Sequence, residues 1–185
     1  MTPLSEPECV VLAGPDGKPA GTADKATVHH ADTPLHFAFS CWVIRDGKVL
    51  VTRRALNKLT WPGVWTNSFC GHPAPAEEQA DAVVRRASFE LGLPAGSLQE
   101  LECVLPDFAY RAVDSSGVVE NELCPVFVAR LAPDVEPDPN PEEIDSYFWA
   151  PVADFLTALQ ATPLAFSPWA VEEAADPRLR AALVR

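Results

Sequence analysis

The run from Phe37 to Arg54, FAFSCWVIRDGKVLVTRR, constrains this chain more than any other stretch. Two short segments rich in β-branched and aromatic residues flank Arg45-Asp46-Gly47, and Asp-Gly between such runs favours a tight turn. A β-hairpin is expected there, so part of the core rests on a sheet. WPGVWTNSFCGHP (61–73) is too rich in Gly, Pro and Trp for a helix. The next segment, EEQADAVVRRASFELGL, places Ala82, Val83, Ala87 and Leu91 near one helical face. Arg86 and Glu90 form an i,i+4 pair on another face, and Gly92 is a stop. VVENELCPVFVARL (118–131) reads as one further strand, YFWAPV as another and PVADFLTAL as a helix. Ser167-Pro168 supplies an N-cap and first turn for a terminal helix through Trp169, interrupted near Asp176-Pro177. LAPDVEPDPNPEEIDS (131–146), crowded with Pro and acidic residues, reads as a solvated loop. Strands interleaved with a few helices predict an α+β (mixed α/β) chain with a mixed sheet flanked by helices. At 185 residues, a single domain over 1–185 is expected.

Charge narrows the partners. A formal net charge of −12 disfavours nucleic acid and anionic membrane, both of which need a basic field. An anionic small molecule would need a locally basic pocket, and seven of the 14 Lys and Arg lie between Arg45 and Arg86. No leader is evident and the longest apolar run, near Phe37 to Ile44, is too short to span a bilayer, so a cytoplasmic protein is expected. Five widely spaced cysteines (Cys9, Cys41, Cys70, Cys103, Cys124) without a Cys-x-x-Cys fit reduced thiols.

Gly71, Glu77, Arg85, Ala87, Glu90, Gly92 and Leu93 fall at the spacings of a Nudix box, and the segment resembles one. Arg86 and Phe89 stand where Nudix hydrolases carry two of their metal-holding glutamates. That departure, together with TRRALNK, WPGVWTNSFCGHP, YRAVDSSGVVENELCPVF and FSPW, resembles the type I isopentenyl diphosphate isomerases over most of the chain. The resemblance implies a Nudix-type fold and an isomerase that turns isopentenyl diphosphate into dimethylallyl diphosphate by proton addition and removal, for isoprenoid synthesis.

It also implies a site. His29, His36, His72, Glu120 and Glu122 would hold one metal. Glu120 and Glu122, two apart in a predicted strand, emerge on one face about 7 Å apart, where a dication would relieve their repulsion. Mn²⁺ or Zn²⁺ is expected at this site, though a nitrogen and oxygen set alone suits Fe²⁺ and Mg²⁺ as well. Glu90 would ligate Mg²⁺ carried with the substrate diphosphate, with Cys70 bordering the metals as a further ligand. Cys70 would be the acid/base on one side of the allylic fragment, and Glu122 with Tyr110 those on the other. Trp169 would lay its π face near a carbocation-like intermediate, an interaction worth about 2 kcal/mol or more when desolvated. Trp65 and Phe39 are further candidates for the pocket wall. Lys25, Arg54, Lys58 and Arg86 would bind the diphosphate. Arg53, adjacent to Arg54 in a strand, should point the other way, Arg45, Lys48 and Arg111 should be solvated, and His30 has no assigned role. A monomer is expected, with a weak dimer as the alternative.

Two other functions remain open at this point. One is a Nudix hydrolase of a nucleoside diphosphate derivative, favoured by the box spacing and opposed by Arg86, Phe89 and Cys70. The other is a catalytically inactive Nudix module that senses a ligand or partner.

Overall fold

The computed structural model describes residues 8–185. Strands β1 (Cys9–Ala13) and β2 (Pro19–Asp24) form an antiparallel ribbon, followed by one helical turn, α1 (Lys25–Val28). The Asp24 carboxylate caps that turn by accepting from the Ala26 N–H at 2.9 Å. The short strand β3 (His36–Phe37) then runs beside β1.

The expected hairpin forms from β4 (Phe39–Arg45) and β5 (Lys48–Arg54). Asp46 and Gly47 sit at φ 51° and 70°, the two positive values that a tight Asp-Gly hairpin turn demands. Only Ile44 with Val49 and Arg45 with Lys48 are paired, however, before the two strands part. Into the fork runs the Trp- and Gly-rich segment. β6 (Trp65–Thr66) pairs with β5 and β7 (Phe69–Gly71) pairs with β4. Between them, the buried side chains of Asn67 and Ser68 take the place of missing ladder bonds. Ser68 Oγ accepts from the Val43 N–H and donates to Leu50 O, both at 2.7 Å. Asn67 Nδ2 donates to Cys41 O at 2.9 Å and Phe69 O at 3.2 Å.

Helix α2 (Gln79–Leu91) follows and stops at Gly92, which adopts φ 64° as a left-handed cap. Strands β8 (Leu98–Leu105), β9 (Ala109–Val113), β10 (Val119–Leu123), β11 (Val126–Leu131) and β12 (Ile144–Pro151) come next. The chain closes with α3 (Val152–Ala161), α4 (Pro168–Ala175) and α5 (Pro177–Leu183). The break between the last two lies at Asp176-Pro177, as the sequence predicts.

There are two sheets where one was expected. The larger runs β12-β5-β4-β11-β8 with β6 and β7 in the fork, and it is mixed because β4 and β11 are parallel. Alternation along β4 divides the core: Phe39, Cys41 and Val43 pack with α2, while Trp42 and Ile44 pack with α3, α4 and α5. The smaller sheet runs β2-β1-β3-β10-β9. The segment expected as one strand over 118–131 is in fact two, β10 in the small sheet and β11 in the large one. The change falls at Cys124-Pro125, where Pro125 has no N–H to give a ladder.

Arg86 and Glu90 are 4% and 6% exposed and widen the buried face of α2, while Asp81, Val84, Arg85 and Ser88 lie on its exposed face. One further expectation is corrected. The Pro-rich loop is not merely solvated. Its Asp138 and Asn140 N–H groups, each at 2.9 Å, donate to Leu91 O and Glu90 O, satisfying carbonyls at the end of α2.

Removing the Ser68 hydroxyl strands a buried N–H and a buried C=O. Ser68→Ala is expected to lower the unfolding free energy by about 1–3 kcal/mol. Urea titration should show a lower midpoint with an unchanged slope.

Candidate active site

The register of the small sheet sets one row of side chains. Glu122 is the pairing partner of His36 on β3 and of Tyr110 on β9. His29 follows α1 and His72 follows β7, and both turn toward the same point. The three imidazole centroids lie 5.1–5.6 Å apart, and ligand atoms of His29, His36, His72 and Glu122 all fall within 4.8 Å of one another. Glu122 Oε1 is 3.2 Å from His72 Nε2 and 3.4 Å from His36 Nε2. Glu120 Oε2 sits 3.2 Å from His29 Nε2 at the margin of the group.

The donor chemistry suits a cation. His36 Nδ1 lies 2.9 Å from Pro34 O, so that nitrogen carries the proton and Nε2 presents its lone pair inward. His29 Nε2, His36 Nε2 and Glu120 Oε2 are buried without hydrogen-bond partners, an arrangement that an ion would satisfy. With both Nε2 atoms protonated instead, burial pushes the Glu122 carboxyl up, but hydrogen bonds and charge from His36 and His72 outweigh it and hold it well below the usual range. His30 shapes the approach without joining the group. Its N–H donates to Thr33 Oγ1 and its Nδ1 accepts from the Asp32 N–H, which bends the chain between His29 and His36.

Beside this centre opens a cavity of about 470 Å³. Cys70 reaches it from β7, in the large sheet, and Tyr110 and Glu122 reach it from the small one. The Cys70 thiol does not enter the histidine cluster. It donates toward Asn67 Oδ1 at 3.5 Å and Ser40 Oγ at 3.7 Å. Burial, then the charge of Glu173, push that thiol well above its ordinary value. Burial, then Glu122 and Glu120, do the same to the Tyr110 hydroxyl.

Trp169 forms the aromatic wall at the start of α4. Its Nε1 donates to Asn67 Oδ1 at 3.1 Å, and its ring lies 5.8 Å from Tyr110 and 5.4 Å from Trp61. Trp65 and Phe39 are not part of this wall. Trp65 packs edge-on against Phe148, and Phe39 is buried on the α2 side beneath Gly71. A Cβ at Gly71 would lie 2.9 Å from Arg86 Cγ, so only glycine lets α2 come this close to β7.

Lys25, Arg54, Lys58 and Arg86 all line the cavity. Arg54 is anchored by Thr60 O at 2.8 Å and stands 5.5 Å over the Trp169 ring. Arg86 pairs with Glu90 at 2.7 Å, with Glu8 at 3.3 Å and with Glu143 at 3.4 Å. Lys58 pairs with Glu143, and Lys25 with Glu8 at 2.8 Å. Arg53 points away, to Gly63 O and Asp145. Burial pushes the Glu90 carboxyl up despite Arg86 beside it. Glu77 serves the scaffold: it accepts from Ala74 N–H at 2.7 Å and holds Arg85.

Sequence reasoning missed Glu143, Glu8, Asn67 and Ser40. Nothing distinguishes Glu143 from Glu142 in NPEEID until the loop caps α2 and turns one of them inward. Asn67 lay within a segment already singled out.

Glu122→Gln keeps the shape of the site but removes its central charge. Metal analysis of the purified variant is expected to show loss of a bound transition metal that the wild-type protein retains.

A family model for the NUDIX domain matches residues 34–170. The chain is 53% identical to the isopentenyl-diphosphate Delta-isomerase of Corynebacterium glutamicum, covering 97% of this chain and 96% of that protein. It is 60% identical to the enzyme of that name from Clavibacter sepedonicus, over 88% and 83% of the two chains, and 53% identical to that of Kocuria rhizophila, over 99% of both. In fold, it superposes on a crystal structure from Deinococcus radiodurans with a TM-score of 0.69 at 17% identity, covering 91% and 98% of the chains. The domain model spans residues 34–170 and the relatives match nearly the whole sequence, and the chain belongs to the isopentenyl-diphosphate Delta-isomerase family, with a NUDIX domain.

Proposed function

We propose that this protein, as a single domain, converts isopentenyl diphosphate into dimethylallyl diphosphate in the cytoplasm. The observation that carries the reading is the origin of the proton-transfer groups. Cys70 comes to the cavity from one sheet, and Glu122 and Tyr110 come from the other. A five-carbon fragment between them has one acid/base on each side. One side adds a proton to the terminal alkene carbon, and the other removes a proton from the neighbouring methylene, which shifts the double bond.

The positive charge that develops between these steps needs dry, electron-rich surroundings. Trp169, 2% exposed, and Tyr110 supply an aromatic wall. Lys25, Arg54, Lys58 and Arg86 hold the diphosphate; Lys25, Lys58 and Arg86 are kept extended into the cavity by Glu8, Glu90 and Glu143, and Arg54 by the Thr60 carbonyl. Mg²⁺ would enter with the diphosphate beside Glu90, and Mn²⁺ or Zn²⁺ would be held by His29, His36, His72, Glu120 and Glu122. When bound, such dications supply positive charge that offsets the paired carboxylates and the diphosphate. Two features disfavour nucleotide hydrolysis. Arg86 replaces one carboxylate of the box, and Phe89 replaces another and is 51% exposed beneath the Arg86 guanidinium.

The deciding experiment is to incubate the protein with isopentenyl diphosphate and Mg²⁺, with and without Mn²⁺, and follow the dimethylallyl isomer by NMR. In D₂O the product should carry deuterium. Absence of isomer under all metal conditions, or release of phosphate from a nucleotide panel, would overturn the reading.

Cys70→Ala is expected to fold and to bind metal but to turn over about 10² to 10⁴ times more slowly. Cys70→Ser should fall between the two, because a hydroxyl relays a proton less readily than a thiol. Arg86→Glu places a carboxylate against the substrate anion, and steady-state kinetics should show a strongly raised KM with no new hydrolysis.

A further inference from the structure

We propose that Glu173, which does not line the cavity, is a positioning residue for Cys70 and works as an uncharged acid. It fixes the Ser40 hydroxyl so that the sulfur meets an oxygen lone pair rather than a hydrogen. This inference rests on the isomerase reading of Cys70.

Ser40 Oγ has one hydrogen and two lone pairs to place. The hydrogen goes to Glu173 Oε2 at 2.9 Å, and Asn67 Nδ2 donates to one lone pair at 2.9 Å. The remaining lone pair faces Cys70 Sγ at 3.7 Å. The Asn67 amide is itself fixed, since its two Nδ2 hydrogens are shared among Ser40 Oγ, Cys41 O and Phe69 O, and Oδ1 accepts from Thr66 Oγ1 and Trp169 Nε1. Neither group behind the sulfur turns a hydrogen toward it, and Ser40 Oγ has a lone pair left for it. Without an oxygen at residue 173, the Ser40 hydrogen is released and can turn to the sulfur.

The surroundings of Glu173 favour its neutral form. It is 0% exposed. One oxygen takes both Ser40 and the Trp42 Nε1–H, the latter at 2.6 Å, while Oε1 has no partner. Ionised, that oxygen would be a buried charge with nothing to solvate it. No Lys, Arg or His forms an ion pair with Glu173 among the described residues. The charges that reach it are Glu122 on β10 and Glu172 on its own helix, both negative. Its own charge acts in turn on Cys41 of β4, Cys70 of β7 and Cys124 after β10, while Arg54 of β5 opposes it at Cys70. Burial pushes the Glu173 carboxyl up to about 8, so the neutral acid prevails below that pH. Above it, a negative charge appears behind the thiol. Cys70 passes through its deprotonated form once per turnover in either direction of isomerisation, so that charge makes the step costlier.

The test compares kcat against pH for wild-type protein, Glu173→Gln, Glu173→Leu and Ser40→Ala. A glutamine oxygen can accept from Ser40 and Trp42 as Oε2 does, without the charge. Wild-type kcat should fall above pH 8, approaching about tenfold per pH unit for a single ionisation, while Glu173→Gln keeps wild-type-like kcat at pH 7 and stays level to pH 9. Glu173→Leu and Ser40→Ala should each lose about tenfold or more in kcat with KM unchanged, as expected when acid/base geometry is spoiled. A readout without substrate is alkylation of Cys70 by iodoacetamide at pH 9, followed by peptide mass spectrometry, which should be faster in Glu173→Gln than in wild type. The proposal is overturned if Glu173→Gln shows the wild-type alkaline decline and labelling rate, or if folded Glu173→Leu and Ser40→Ala keep wild-type kcat. Should the leucine variant fail to fold, the glutamine comparison decides alone. Failure of wild-type protein to isomerise would sink the functional reading instead, and the labelling rates would still decide this one.

Discussion

The fork between β4 and β5 is the constraint on which the rest of the structure depends. Two strands that pair at only two positions leave a gap in the middle of a sheet, with backbone groups that must find partners. Thr66 through Gly71 fills it. Ser68 and Asn67 supply hydrogen bonds that a regular ladder would have made, and the filled fork carries Cys70 to the cavity and His72 to the histidine group. Because Asn67 also holds Trp169 and Ser40, one buried amide ties the thiol, the aromatic wall and the last helices to the large sheet.

Charge is organised on either side of this wedge in two different ways. The histidine group gathers imidazole nitrogens around Glu122, and its unpartnered atoms suit a cation. The basic flank is already neutralised pair by pair, with Lys25, Lys58 and Arg86 each held by a carboxylate. Such pairs cost desolvation and gain little net stability. Under the proposed function their use would be geometric: they would hold long side chains, which otherwise lose rotamer freedom on meeting an anion, close to the conformation that binds it.

Local patterns were legible in the sequence where local physics decides. The Asp46-Gly47 turn, the stop at Gly92 and the break at Asp176-Pro177 each depend on a few adjacent residues, and each stands as expected. The strand spanning Cys124-Pro125 was misread because its two halves look alike in composition and differ only in which sheet receives them. The same limit explains why β1, β2, β8 and β9 went unread: their pairing partners are distant and their alternation weak. In the site, family resemblance singled out the histidines and Cys70, and the structure brings His29, His36, His72 and Glu122 together with Cys70 beside the same cavity. Glu143, Ser40 and Glu173 were not, since a Glu or Ser acquires its role only from the burial and partners that tertiary packing gives it.

The histidine group draws its members from four stretches of chain, near residues 29, 36, 72 and 122. His29 and His36 are near neighbours in sequence, but joining them to His72 and Glu122 closes long loops, and such contacts are slow to form. The coordinating point therefore comes into existence only once both sheets have assembled. A metal held there would meet a chain already folded instead of seeding its folding, unlike a zinc finger, whose ligands lie close together and whose structure depends on the ion from the outset.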